Sequence, residues 1–167
     1  MAADDNGADD NGQELVPGDM EMMEAAPLIV KAQYIKDFSF ENPGAPAMFE
    51  NMVSEPEIEV QINVQPEQLE SGDFEVVLII EAKATINGET AFIAELEYAG
   101  LFELDSSIPE EYVGSIVLVE CPRMLFPFAR SIIATATQES GMPPLILQPI
   151  DFNAIVAAQM AQGAGNA

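Results

Sequence analysis

Two β-rich runs joined by the dipeptide Asn87-Gly88 constrain the fold of this chain more than any other feature. The first run extends from Phe74 to Ile86 and the second from Glu89 to Tyr98, and both are rich in branched and aromatic residues. Asn-Gly tolerates positive φ at both of its positions, as a two-residue type I′ turn requires. The two runs are therefore predicted to form a β-hairpin.

The register of this hairpin follows from the turn. Ile86 pairs with Glu89 across it, and counting back along both strands then sets Ile80 opposite Glu95. On this count both faces are apolar, although Glu95 and Glu97 interrupt one of them, so both faces need to be covered. The first face holds Val77, Ile79, Phe92, Leu96 and Tyr98, and the second holds Phe74, Val76, Leu78, Ile80 and Ile93.

Two further strands are predicted before the hairpin. Residues 28–41 alternate apolar and polar side chains, with an irregularity near Asp37, and the strand ends at the proline-rich segment 42–46. Residues 58–64 alternate strictly, which is typical of a half-buried strand. Residues 66–73 are predicted to form a loop.

Two helices are predicted after the hairpin. Pro122 can begin the first, because the N–H that proline lacks would be unpaired in a first turn. Its apolar residues recur at helical spacing, and Gly-Met-Pro-Pro at 141–144 ends it. Asp151 is a good N-cap for the second helix, over 152–160. The predicted fold is therefore α+β, a four-stranded antiparallel sheet with two C-terminal helices packed on one face.

Composition divides the chain into three parts. Residues 1–27 carry eight acidic and no basic side chains, which predicts a disordered acidic extension. Residues 28–161 form the folded domain, and residues 162–167 are predicted to be a flexible tail.

Two helices are too little to cover a sheet that is apolar on both faces, and a long first strand leaves an open edge. We therefore predict a homo-oligomer.

Charge excludes several classes of function. Five basic residues stand against 29 acidic ones, a net charge of −24, so neither nucleic acid nor an anionic membrane is an expected partner. No apolar run approaches the length that a membrane-spanning helix needs, and the N-terminus does not resemble a secretory signal. The cytoplasm is the expected location. A basic protein surface is the partner that such a charge attracts.

Catalysis is not expected. The chain has no histidine, so no Ser-His or Cys-His nucleophile can be assembled. Its single cysteine, Cys121, is interpreted as a structural or incidental thiol, and neither a metal site nor a phosphate-binding loop is present in the pattern. No cofactor is predicted.

Three segments together resemble the SecB family of protein-export chaperones. They are YIKDFSFENPGAP at 34–46, the hairpin region 74–104, and CPRMLFPFARSIIATATQESGMPPLILQPIDF at 121–152. The resemblance implies a dimer of dimers, ATP-independent binding of unfolded precursor proteins along apolar grooves, and their delivery to the SecA motor ATPase. An acidic interaction protein, or a specialised SecB-like chaperone dedicated to one partner such as a toxin-antitoxin system, remains the alternative.

The resemblance also implies two sites. It places the SecA-binding face at Asp37, Glu41, Ile93 and Glu95. It places the client-binding groove at Met48, Phe49, Met52, Ile58, Val60, Ile62, Leu125 and Phe126.

Overall fold

A computed structural model describes residues 27–51 and 54–165 of the chain. The disorder predicted for residues 1–27 lies outside this range except at Pro27. Four antiparallel strands form one sheet in the order β1-β4-β3-β2. The strands are β1 (Leu28–Glu41), β2 (Glu57–Gln68), β3 (Phe74–Ile86) and β4 (Glu89–Leu104). The helices are α1 (Ala47–Glu50), α2 (Glu110–Ser115), a π-helical segment (Ile116–Glu120), α3 (Cys121–Glu139) and α4 (Phe152–Ala164).

The β3–β4 hairpin forms as predicted, but its register is different. Asn87 and Gly88 have φ values of 53° and 83°, and Ile86 pairs with Glu89. Ala91 is then an extra residue on β4, so that Ala84 pairs with Phe92. A one-residue bulge moves every later side chain of its strand to the other face, and counting from the turn cannot detect it. Ile80 therefore lies opposite Leu96, and not opposite Glu95.

The corrected register separates the two faces of the sheet. The face under α3 and α4, the inner face, is apolar along the two central strands β3 and β4, and the opposite or outer face is mixed rather than apolar. Val77 and Ile79 share the outer face with Glu95, whereas Phe92, Leu96 and Tyr98 join the inner face. The inner face buries Val76, Leu78, Ile80, Phe92, Ala94, Leu96 and Phe102, each at most 1% exposed.

Strand β2 is longer than its pattern indicates. It continues through Pro66, which pairs with Val76, to Gln68. The predicted loop is thus shorter, and it closes at Leu69, whose N–H donates to the Asp73 carbonyl at 2.8 Å. Proline fits here because β2 is an edge strand, where no neighbour needs its missing N–H.

The helical region also begins earlier than predicted. Helix α2, the π-helical segment and α3 follow one another without a break from Glu110, so Pro122 lies within a helical run and does not begin it. The Cys121 N–H donates to the carbonyl of Ile116, five residues back. This wider hydrogen-bonding pattern is typical of a π-bulge, and it immediately precedes the proline. Among the described residues, no helix is long and apolar enough to cross a membrane.

The main core lies between the inner face and the helices. Helix α3 packs on β3 and β4, and α4 packs on β2 and the π-helical segment. The α3 residues Leu125, Ala129 and Ile133 are fully buried, and Phe152 at the start of α4 is 1% exposed. Asp151 caps α4 as predicted, accepting from the N–H groups of Asn153 and Ala154. The α+β fold with helices on one face is confirmed.

Candidate functional site

The outer face brings together the four residues predicted to form an acidic docking site. On the adjacent strands β1 and β4, Asp37 lies beside Glu97, Ser39 beside Glu95, and Glu41 beside Ile93. Same-face neighbours on adjacent strands have Cβ atoms about 5 Å apart, so these side chains form one continuous patch. Asp37, Glu41 and Glu95 are exposed and Ile93 is half-buried. We call Asp37, Glu41, Ile93 and Glu95 the acidic face.

Strand β3 adds charges to this patch that were not predicted as site residues. Glu81 lies directly opposite Glu95, and Lys83 lies opposite Ile93. Like charges facing each other across a ladder are destabilising, so the face keeps an unfavourable interaction that a basic partner surface would relieve. The Ser39 hydroxyl donates to the Glu95 carboxylate at 3.3 Å. The two-residue spacing of Glu81 and Lys83 predicted that they share a face, but only the correct register places Glu81 beside Glu95 and Lys83 beside Ile93.

A second, apolar surface lies on the inner face at the β2 edge. Ile58 and Val60 point to the helix side of the sheet but remain 40% and 39% exposed. The segment between α3 and α4 runs past them and presents Ile146, which is 56% exposed. Ile58 and Ile146 lie in an open depression lined by Glu55, Pro56, Ile58, Phe92, Met142, Pro143, Pro144, Leu145 and Ile146. We call this depression, together with Val60 two residues farther along β2, the apolar groove.

Other residues predicted for the client-binding groove lie near this depression. Phe49 on α1 is 42% exposed and packs against Gly141, where an added Cβ would lie 2.9 Å from its ring. Met48 is half-buried and packs on a small core cluster that includes Phe92 and Met142. Ile62 is half-buried against the main core. Met52 lies outside the described residues.

Leu125 and Phe126 have a different position. They are 0% and 8% exposed and belong to the main core, where the Phe126 ring meets that of Phe152 edge to face at 6.1 Å. Their place in the helical spacing of α3 is that of a core-facing stripe. A client chain cannot reach them in this structure, and we leave them out of the apolar groove.

The wall of the apolar groove is held by one buried hydroxyl. Thr137 on α3 is fully buried, and its Oγ1 accepts a hydrogen bond from the Leu145 N–H at 2.8 Å. The same hydroxyl lies 3.0 Å from the carbonyl oxygens of Ile133 and Ala134. The sequence pattern predicted only a helix end at the residues after Gly141. The spaced apolar residues Leu145, Leu147 and Ile150 were the sequence signal that this segment packs against the core.

The chemical groups near these surfaces suit binding better than catalysis. Cys121 is buried, and burial raises the pKa of its thiol to about 12, so little thiolate forms near neutral pH. Within residues 27–51 and 54–165, no group of three or more Cys, Asp or Glu side chains is arranged to hold a metal ion. An acidic sheet face and an apolar groove, on opposite sides of one sheet, define a protein that binds other proteins.

Comparison with known proteins identifies the family. Residues 21–163 match the family model of the preprotein translocase subunit SecB. The chain is 50% identical over 140 residues to the protein-export protein SecB of Rhodospirillum centenum, covering 84% of this chain and 83% of that protein. It is 50% identical over 144 residues to the same protein of Granulibacter bethesdensis, covering 81% and 84%. The chain belongs to the SecB family.

A solved structure supports the fold. A SecB-like chaperone of Mycobacterium tuberculosis, in complex with a ChAD peptide from the HigA1 antitoxin, superposes with a TM-score of 0.61 at 15% sequence identity. The match covers 75% of this chain and 91% of that one.

Proposed function

We propose that this protein is an ATP-independent export chaperone that holds unfolded precursor proteins in the apolar groove and delivers them to SecA through the acidic face. The observation that carries this proposal is the placement of the two surfaces. Ile58 and Val60 face the helix side of the sheet, and Glu95 faces the other side. A client and SecA can therefore bind at the same time without competing for the same residues, as delivery requires.

The groove suits extended chains of varied sequence. Strand β2 is at the edge of the sheet, so its outer backbone N–H and C=O groups have no neighbouring strand among the residues that the structure describes. An extended client segment can hydrogen-bond to them while its alternate side chains contact Ile58, Val60 and Ile146. At about 25 cal/mol per Å² of apolar area, several such contacts give useful affinity without a fixed sequence.

A dimer of dimers is part of the proposal. On the inner side of β1 and along α3, Ile35, Met124 and Phe128 are 50%, 42% and 52% exposed. Phe128 stacks on Tyr98 with ring centroids 6.3 Å apart, so part of its ring is held in place while the rest meets solvent. Exposed apolar surface of this kind marks an interaction site, and a second copy of the chain would cover it. We place the assembly in the cytoplasm, where precursors meet SecA.

The client site is tested by two substitutions at adjacent positions of β2. Val60→Ser replaces a groove side chain, and Gln61→Ser changes the next residue, which points to the outer face. We expect Val60→Ser to weaken binding of an unfolded precursor about three- to tenfold, and Gln61→Ser to change it less than twofold. The measurements are complex formation with a reduced, unfolded precursor and the delay of its refolding. Equal effects of the two variants would contradict the groove assignment.

The SecA site is tested by charge reversal. Glu95→Lys should reduce SecA affinity by roughly tenfold or more at low salt, and the wild-type complex should lose affinity steeply as salt is added. Glu110→Lys on α2 changes the net charge equally but lies on another surface, and is the matched control. If both reversals act alike, the attraction is general and the acidic face is wrongly assigned. Binding of one dedicated partner, without any effect on unrelated precursors, would favour the specialised chaperone.

A further inference from the structure

Strand β1 contains two extra residues, and both are lysines. Lys31 is unpaired between the Val30–Phe102 and Ala32–Leu101 pairs, and Lys36 is unpaired between the Ile35–Tyr98 and Asp37–Glu97 pairs. The bulge at Lys36 has a particular consequence. Ile35 faces α3, so simple alternation from Ile35 would put Asp37 and Glu41 on the inner face. The extra residue reverses this order, so that Phe38 and Phe40 enter the core and Asp37 and Glu41 reach the outer face.

Each lysine reaches across a neighbouring strand. Lys36 forms an ion pair with Glu75 of β3, although β4 lies between β1 and β3 in the sheet. Lys31 likewise bonds Asp73, next to the start of β3, at 2.9 Å, and Glu103 of β4 at 2.8 Å. The two side chains therefore lie over β4 on the outer face, as straps that tie the bulged edge strand to β3.

The Lys36 strap is built into a covered part of the outer face. Glu75 has a side chain only 14% exposed. The Tyr34 phenol lies near the same carboxylate, and its pKa is raised, mainly because the phenol is partly buried and further because of the negative charge of Glu75. Ala99 and Val77 are the outward-facing residues beside Tyr34 on β4 and β3, and they are only 0% and 7% exposed. The Lys36 side chain is 44% exposed, so only the carboxylate end of this ion pair is sheltered from water. A pair with one sheltered partner is screened less than a fully solvated pair.

Lys83 provides the contrast. It lies on the outer face beside Ile93 of the acidic face, and none of the ion pairs among the described residues includes it. Lys36 and Lys83 therefore carry the same charge on the same face, but only Lys36 combines a bulge with a cross-strand ion pair. Long-range attraction of a basic partner treats the two lysines nearly alike, whereas local geometry separates them.

We propose that Lys36, through its ion pair with Glu75, is a positioning residue for SecA docking: it fixes the β1 bulge that places Asp37 and Glu41 on the acidic face. The inference rests on the proposed SecA-binding function. Lys36 need not contact SecA itself. Its role is to keep the segment 37–41 in one register against β4.

The binding test compares variants of equal charge in the full-length protein. Lys36→Met keeps the apolar stem and removes the ion pair, and we expect SecA to bind about five- to tenfold more weakly, mainly through faster dissociation. Glu75→Gln should act similarly although it changes the net charge in the opposite direction. Lys83→Met should change affinity less than about twofold, because it removes one charge and breaks no cross-strand ion pair. The double variant Lys36→Glu with Glu75→Lys should restore binding to within about twofold of wild type.

A second measurement does not require SecA. Backbone amides of residues 37–41 should exchange with deuterium about tenfold faster in Lys36→Met than in wild type or Lys83→Met, because the register of this segment is no longer fixed. Unchanged exchange in Lys36→Met would overturn the proposal whatever the binding data show. Equal loss of SecA affinity in Lys36→Met and Lys83→Met, or no recovery in the charge-swapped double variant, would also overturn it. If wild type does not bind SecA but the exchange result holds, the proposed function has failed and the positioning of 37–41 by Lys36 stands.

Discussion

Truncating Leu125 to alanine distinguishes a core side chain from a groove side chain. Leu125 is fully buried, and it packs directly above Gly100 of β4, where an added Cβ would lie 2.9 Å from its Cδ2 atom. Position 100 has no side chain that could move into the space, and the neighbouring Phe102 ring is itself fully buried. We therefore expect the cavity left by Leu125→Ala to be filled only in part. Buried Leu→Ala substitutions cost about 3–5 kcal/mol in such places, so we expect about 4 kcal/mol.

Urea unfolding at one fixed protein concentration measures this loss. With a slope of about 2 kcal/mol per M, a loss of about 4 kcal/mol lowers the unfolding midpoint by about 2 M. Keeping the concentration fixed matters because an oligomer gains stability by mass action.

Ile58→Ala is the matched control, since it removes a similar volume from a side chain that is 40% exposed. We expect it to cost less than about 1 kcal/mol of stability and to weaken binding of an unfolded precursor by roughly fivefold. The reasoning would be refuted if Leu125→Ala left the midpoint nearly unchanged and selectively reduced precursor binding, because Leu125 would then be accessible to clients.

Three further outcomes follow from the structure. Burial raises the pKa of Cys121 from 9.0 to about 12. At pH 8 the folded protein should therefore react with a thiol reagent roughly a thousandfold more slowly than the urea-unfolded chain. Equal rates would show that the thiol is accessible. Thr137→Val leaves the Leu145 N–H without its buried acceptor, and should cost about 1–3 kcal/mol in urea unfolding while weakening precursor binding through a loosened groove wall. Gly141→Ala combines a φ of 85° with a Cβ 2.9 Å from the Phe49 ring, and should cost about 1–2 kcal/mol. Because the backbone strain remains even if α1 moves away, a stability equal to wild type would contradict this reasoning.

Local signals were sufficient for much of the fold. Asn87-Gly88 specified the hairpin turn, strict alternation specified β2, and Asp151 specified the start of α4, because each depends on residues that are neighbours in sequence. The charge of −24 and the lack of histidine likewise limit the classes of function, since both depend on composition alone.

Register and the continuation of elements could not be predicted in the same way. The bulge at Ala91 leaves no composition signal, yet it exchanges the faces of every residue after it on β4. Pro66 lies within β2 only because the sheet order puts that strand at the edge. Pro122 lies within a helical run because a π-helical segment precedes it.

For the two surfaces, the sequence by itself determined which residue types were available: acidic side chains at two-residue spacing, and apolar side chains in β2 and after α3. The tertiary structure decided which of them meet. It placed Glu41 beside Ile93 through the bulge at Lys36, exposed Ile58 at a sheet edge, and buried Leu125 between α3 and the sheet. The physical reason is that alternation and helical spacing define faces only within one element, whereas a surface forms where faces of several elements meet, and one extra residue in a strand changes which faces those are.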